Sequence, residues 1–496
     1  MKYVSTRSAE RKVDAAQAIV AGLSHEGGLY VPESFPAFAP GRIEKMANLP
    51  YAARAKEVLG AYLTDYTQEE LEQCVREAYA AERFGSDPAP VVPVMGMHVL
   101  ELWHGPTHAF KDMALQMLPR LMTRAMKKTG VDKEVLILVA TSGDTGKAAL
   151  EGFCDVEGTQ VGVFYPVDGV SPAQKLQMVT QEGNNVHVCA VEGNFDDAQT
   201  GVKRIFGDEA FARELAGKGV ALSSANSINW GRLVPQVAYY FSAYADLIKT
   251  GAISMGQEVN FCVPTGNFGN ILAAYYAKRM GLPVGRLICA SNENNVLYDF
   301  IRQGVYDANR PFHKTTSPSM DILISSNLER LLFELCGRDT PRVRAWMGAL
   351  KSGGVYDVGE ETRAALADSF DAGWADDRKA LQAIARVQRA CGYTMDPHTA
   401  VAWEVAEEYR ARTGDGRPMV VVSTASPYKF SRSVLGALKG EDAVRGLDEF
   451  ACADELERVC GLAMPESLRA LRTKARRHQD VARPQDMADE VRRWVK

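Results

Sequence analysis

Lys111 is the side chain whose neighbours best equip it to act as a nucleophile. It stands in the stretch His104 to Gln116, after the Gly105-Pro106 turn and between Phe110 and the apolar run Met113 to Leu118. A lysine at the start of an apolar helix is partly desolvated, which lowers its pKa and frees the amine. Such an amine forms a Schiff base with an aldehyde cofactor. Lysines at helix starts also commonly line a solvated face, so Lys111 takes its meaning from what else the chain supplies. His104 and His108 are four residues apart, but no His-Glu-x-x-His is present, so the pattern gives metal catalysis no support and no metal site is expected.

Two loops have the composition of anion sites. Thr141-Ser142-Gly143-Asp144-Thr145-Gly146 follows the apolar run Val135–Ala140, and Pro264-Thr265-Gly266-Asn267-Phe268-Gly269-Asn270 follows Gln257–Val263. Glycine lets the backbone approach an anion, and a following helix offers unpaired N–H groups at the positive end of its dipole. Plain tight turns use the same residues. A nucleotide-binding P-loop is excluded at Gly146-Lys147, because Thr141 and Ala148 occupy the places of its first glycine and its Ser/Thr.

The elements that must position these residues alternate regularly. Val135–Ala140, Gln160–Tyr165, Val186–Val191, Val220–Ser223, Gln257–Val263, Leu287–Ala290 and Pro418–Val422 read as strands. Helices are expected over Lys147–Phe153, Pro172–Thr180, Asp196–Leu215, Trp230–Ile248 and Asn270–Met280. This is an α/β chain with a mostly parallel sheet, and ligands of such sheets bind at the carboxyl ends of the strands. Residues 1–95 read as a small domain, helical from Tyr51 to Arg83, with Asp87 to Pro93 as a linker. The 496 residues, 46% hydrophobic and 24% charged, suit about three soluble domains. A net charge of −5 gives no reason to expect nucleic acid or an anionic membrane. Nine cysteines without paired spacing suggest reduced thiols. No secretory leader or membrane-length apolar run is apparent, so a cytoplasmic protein is expected.

The run His-Gly-Pro-Thr-x-Ala-Phe-Lys-Asp, His104 to Asp112, resembles the pyridoxal-phosphate lysine segment of threonine synthases, members of the fold type II group of pyridoxal-phosphate enzymes. Asn226 to Arg232, Ser317 to Ile322 and Ser423 to Phe430 are similar to further segments of that family, so the resemblance extends from residue 5 to about 430. It implies two open, twisted, mostly parallel sheets flanked by helices, plus a small N-terminal domain. The units would be 1–95, a large cofactor-binding domain of 96–134 with 245–440, a small α/β domain of 135–244, and a helical extension of 441–496.

The resemblance also assigns residues. Lys111 would be the catalytic lysine, and pyridoxal 5'-phosphate would lie against Phe110, Gly266, Asn267, Phe268, Gly269, Asn270 and Thr424. The substrate would meet Ser142, Gly143, Asp144, Thr145, Lys147, Asn229, Arg232 and Ser319, with Arg232 as the clamp on its phosphate. That substrate would be O-phosphohomoserine, converted with water to threonine and phosphate, by a monomer or homodimer. Lys147 stands where many members carry smaller residues, and Ser426 where many carry histidine. A threonine or serine dehydratase or a β-replacing synthase of the same fold would need no second anion site. A non-catalytic relative would be marked by loss of the lysine or the glycine loops, and this chain keeps them all.

Overall fold

Apolar strands with helices on both faces are buried on both faces, and their sequences read as unbroken apolar runs. Such runs build two sheets in the computed structural model, which describes residues 1–141, 143–167 and 170–495. The larger has six strands in the order Phe370–Trp374, Val284–Ser291, Val259–Pro264, Met419–Ser423, Met97–Glu101 and Val91–Val94. All its pairs are parallel except the last, an antiparallel hairpin. The smaller has five parallel strands in the order Asp480–Ala482, Val186–Val191, Thr159–Pro166, Glu134–Ala140 and Val220–Ser223. The expected strands and helices between 134 and 291 are present, with ends shifted by one to three residues.

Four differences from the sequence reading have physical causes. The proline-rich stretch expected as a linker ends in the strand Val91–Val94; it lies at the sheet edge, where Pro93 costs no ladder bond. Phe370–Trp374 is the opposite edge, and Asp371 and Gly373 disguise it in sequence. The helix expected over 196–215 is two helices, Phe195–Gly207 and Glu209–Gly217, because the Asp208 carboxylate caps the second by accepting from the Phe211 N–H at 3.0 Å. The tail, expected to be a helical extension, ends in the strand Asp480–Ala482 and the helix Met487–Trp494, and both belong to the five-stranded unit. A three-residue strand with two exposed positions leaves no periodic trace.

Residues 1–84 add a three-stranded antiparallel sheet of Tyr3–Ser5, Ser8–Val13 and Tyr30–Pro32, with helices at 15–21, 40–46, 51–62, 68–78 and 81–84. Its Ser5-Thr6-Arg7 turn is anchored on Glu329. Thr6 Oγ1 donates to Glu329 Oε1 at 2.6 Å, and Arg7 donates from Nε at 2.9 Å and Nη2 at 2.7 Å. A fork on a nearly buried carboxylate is the strong form of an ion pair. The helix Trp230–Lys249 is apolar nearly all round and is correspondingly buried among these units.

Trp494 shows why the tail belongs to the small sheet. Its ring lies 4.9 Å from that of Phe164 and 5.2 Å from that of His187. A methyl group built on Gly162 would stand 2.3 Å from the indole, so glycine is required beneath it. Trp494→Ala removes this cover and should cost about 3 kcal/mol. The expected readouts are a lower denaturant midpoint and faster amide exchange in 159–166 and 186–191, with the six-stranded sheet unchanged.

Candidate active site

The strands Glu134–Ala140, Val259–Pro264 and Met419–Ser423 all run, at their carboxyl ends, into loops with the chemistry-bearing residues. The Lys111 loop is docked onto the third of these by backbone bonds. Phe110 N–H donates to the Thr424 carbonyl at 2.8 Å, and Ser426 N–H to the His108 carbonyl at 3.1 Å. Lys111 is the residue preceding the short helix Asp112–Leu115 and is 8% exposed. Its Nζ is 3.2 Å from Ser319 Oγ, 3.7 Å from Asp144 Oδ2 and 4.9 Å from the centre of the Phe110 ring. Burial lowers the Lys111 pKa to about 8; the charges of Arg232 and Lys429 push the same way and Asp144 opposes them.

Asp144 opens the helix Asp144–Phe153 and is held between two ammonium groups. Lys429 Nζ, fully buried, donates to Asp144 Oδ1 at 2.7 Å and to the Thr107 carbonyl at 2.9 Å. Gln174 Nε2 donates to the same carboxylate at 2.8 Å. Burial favours the neutral acid, but Lys429 and Lys111 outweigh it and hold the Asp144 carboxyl well below its usual range. Beneath the lysine, burial pushes Asp112 up to about 6, although Thr107 donates to it from its N–H at 2.8 Å and its hydroxyl at 2.7 Å.

Arg232 is 5% exposed, and its Nη1 donates to the Ala225 carbonyl at 2.7 Å. Among the described residues it has no carboxylate partner, and burial alone draws it down to about 10. It remains a cation at neutral pH, buried within electrostatic reach of Lys111. At the second loop, Phe268 adopts φ 65° and precedes the helix Gly269–Arg279. Among the described residues the N–H groups from Phe268 to Ile271 meet no protein acceptor. The side-chain amides of Asn270 and Asn327 are also buried with an unpartnered nitrogen. A methyl group on Gly269 would meet no protein atom closer than 3.5 Å, so there is room beside these donors.

The structure therefore brings Lys111, Phe110, Asp144, Ser319 and Arg232 together, and lays Thr424 and the 266–270 loop alongside. Asn267 is exposed, with its carbonyl accepting from the Asn327 N–H at 3.1 Å. Gly143, at φ 145°, makes the turn that only glycine makes without strain; Thr145 is half-buried in the helix that follows. Ser142 lies outside the described residues. Two of the residues expected to contact substrate are engaged within the protein. Lys147 is paired with Glu151 at 2.8 Å and with Gln181, so its charge is already satisfied within the protein. Asn229 caps the helix Trp230–Lys249 by accepting from the Gly231 N–H at 2.8 Å, and its Nδ2 donates to the Ile19 carbonyl at 3.0 Å. The sequence reading left Lys429, Asp112 and Gln174 without roles. Asp112 and Lys429 lie inside the segments that carry the family resemblance, and Gln174 lies outside them. Among the described residues no three of His, Cys, Asp and Glu gather as a metal would require, and no helix is long and apolar enough to cross a membrane.

This fold and its buried lysine are those of the fold type II group of the pyridoxal-phosphate-dependent enzyme family. A family model described as "Pyridoxal-phosphate dependent enzyme" matches residues 96–425, flanked by "Threonine synthase N terminus" over 2–79 and "Threonine synthase, C-terminal" over 399–495. The chain belongs to the threonine synthase family. It is 40% identical to threonine synthase of Pseudomonas aeruginosa over 88% of this chain and 90% of that one. It is 41% identical to human threonine synthase-like 1 over 88% of this chain, but spans only 61% of that protein's length. The crystal structure of threonine synthase from Brucella melitensis, with pyridoxal phosphate bound, superposes with a TM-score of 0.87 at 38% identity and covers both chains fully.

The site fits the cofactor of this family: free N–H groups and amides beside an open space suit its phosphate, and Lys111 suits its aldehyde. Two outcomes are expected. Gly269→Val should leave the fold intact and weaken cofactor binding by at least about tenfold, measured by absorbance titration, because the side chain fills the space left beside the donors. Lys111, held at about 8, should react with an amine-directed reagent with a half-point well below the ~10.4 of exposed lysines. An ordinary lysine value in the wild-type chain would exclude Lys111 as an activated amine.

Proposed function

We propose that this protein is a threonine synthase, converting O-phosphohomoserine and water to threonine and phosphate. The observation that carries the reading is Arg232: a buried cation with no carboxylate partner among the described residues, within electrostatic reach of Lys111. A buried charge of that kind is costly unless a ligand completes it. A dehydratase, whose substrate has one anionic group, would have no use for it. The substrate of a threonine synthase has two, an α-carboxylate and a γ-phosphate.

When bound, pyridoxal phosphate supplies an aldehyde and a ring that withdraws electrons from the substrate's α-carbon. The residues of this chain do the rest. Lys111 Nζ, with its lowered pKa, has a substantial neutral fraction near pH 8 and can take and return the α-proton. Ser319 Oγ at 3.2 Å keeps that amine aimed. The loop from Gly143 to Thr145 offers the start of its helix to the α-carboxylate. Thr424 would face the ring nitrogen with a neutral hydroxyl, which leaves that nitrogen unprotonated and moderates its pull. Loss of a β-proton supplies the electron pair that expels phosphate from the γ-carbon, where Arg232 would bind and steady it; the γ-carbon then takes up a proton and water adds at the β-carbon. The nine cysteines are free thiols, consistent with a cytoplasmic setting.

The test is phosphate release from O-phosphohomoserine with threonine identified as the product. Arg232→Ala should lower kcat/KM for that substrate by about 1.5–3 kcal/mol, on the order of ten- to a hundredfold. An analogue without phosphate should lose little. Equal losses for both compounds would show that Arg232 serves the fold or the cofactor.

A further inference from the structure

Ser319 carries the oxygen nearest the Lys111 amine, yet it lies in the short turn Pro318–Met320, which has little rigidity of its own. Its placement comes from outside. His398 is 2% exposed, and its Nε2 accepts the Ser319 N–H at 3.1 Å. The other ring nitrogen, Nδ1, lies 2.6 Å from Asp396 Oδ2. A ring nitrogen that accepts an N–H carries no proton, so the single proton is on Nδ1 and is donated to Asp396. Asp396, fully buried, is fixed in turn: it caps the helix Pro397–Thr413 by accepting from the N–H groups of His398 at 2.9 Å and Thr399 at 3.2 Å. On the far side, a methyl group on Gly266 would stand 2.6 Å from the Ser319 carbonyl oxygen, so that group is packed against the 266–270 loop.

We infer that His398 is a positioning residue: with Asp396 behind it, it locks Ser319 and so sets where the Lys111 amine stands. The chain of contacts runs Asp396, His398, Ser319, Lys111; Asp396, His398 and Lys111 are buried and Ser319 is half-buried. The His398 ring is braced by Phe430, 4.9 Å away and tilted. Nothing in this arrangement is needed merely to cap the helix, because the Asp396 carboxylate already does so. The ring nitrogen aimed at Ser319 is the feature that a structural role leaves unexplained. The inference rests on the reading of Lys111 as the reacting amine.

Two substitutions separate the ring's two nitrogens. His398→Gln places an amide oxygen near Nε2 and keeps an acceptor for Ser319. His398→Asn reaches only as far as Nδ1, so it keeps a donor for Asp396 and withdraws the acceptor. In the holoenzyme, exchange of the Ser319 amide should quicken by about tenfold in the Asn variant and stay near wild type in the Gln variant. With O-phosphohomoserine the Asn variant should lose about tenfold in kcat with KM little changed, and Gln should recover most of it. Lys111 reactivity toward an amine reagent in the cofactor-free chain should follow the same order. If wild type fails to turn over O-phosphohomoserine, the proposed function falls, and the exchange and amine-reactivity measurements still decide the role of His398. The inference is overturned if the Asn variant matches wild type in Ser319 exchange and Lys111 reactivity, or if both variants lose them equally.

Discussion

Asp144 holds two lysines in a place from which water is excluded. Without that carboxylate, Lys429 would be a fully buried cation, a state that costs several kcal/mol and is relieved only by deprotonation or unfolding. With it, Lys429 is satisfied at 2.7 Å, and Lys111 at 3.7 Å feels a weaker share of the same charge. That inequality is what makes the site workable. The closer lysine offsets most of the anion's charge, so the more distant one keeps the pKa that burial depresses.

The rest of the architecture keeps this small charge set dry and aimed. Asp144 comes from the helix after a strand of the five-stranded sheet, while Lys429 and Thr424 follow a strand of the six-stranded one. The lysine loop is stitched to the latter by the bonds from Phe110 to Thr424 and from Ser426 to His108. The ion pairs of Asp144 with both lysines therefore span the two sheets. Arg232 enters from a third element, the buried helix Trp230–Lys249, whose start is itself capped by Asn229 and tied to the N-terminal segment at Ile19. A residue chosen as a ligand contact from its motif is thus a support for the arginine three places on.

The fold and the site were legible in sequence to different degrees. Strands between 134 and 291 carry continuous apolar runs and could be read directly, as could the glycine loops at their ends. Three of the four edge strands of the two main sheets could not: Val91–Val94 contains a proline, Phe370–Trp374 an aspartate and a glycine, and Asp480–Ala482 is mostly exposed. In the site, Lys111, Asp144, Arg232 and Ser319, all carried by motifs, are gathered in one place by the fold. Lys147 and Asn229 come from similar stretches, but the fold pairs Lys147 with Glu151 and uses Asn229 as a helix cap, because a motif records that residues are near a site and not which way they face. Lys429, Gln174 and His398 escaped because their function is a long-range pairing. Lys429 and Asp144 are 285 positions apart in the chain, and no local pattern announces such a contact.

The final strand gives the molecule a third strap. The chain leaves the six-stranded unit for the five-stranded one after residue 129 and returns before residue 230. It then crosses again between Leu471, packed on the larger unit, and Asp480, paired in the smaller. Two lobes joined by two neighbouring connections can swing like a book on its spine. A third connection anchored elsewhere turns the hinge into a tripod. Residues 473–479 are largely exposed, and even fully extended they span at most about 25 Å. Opening of the cleft is therefore bounded by the reach of that strap, and a shorter strap would trade ease of entry for a more tightly shut site.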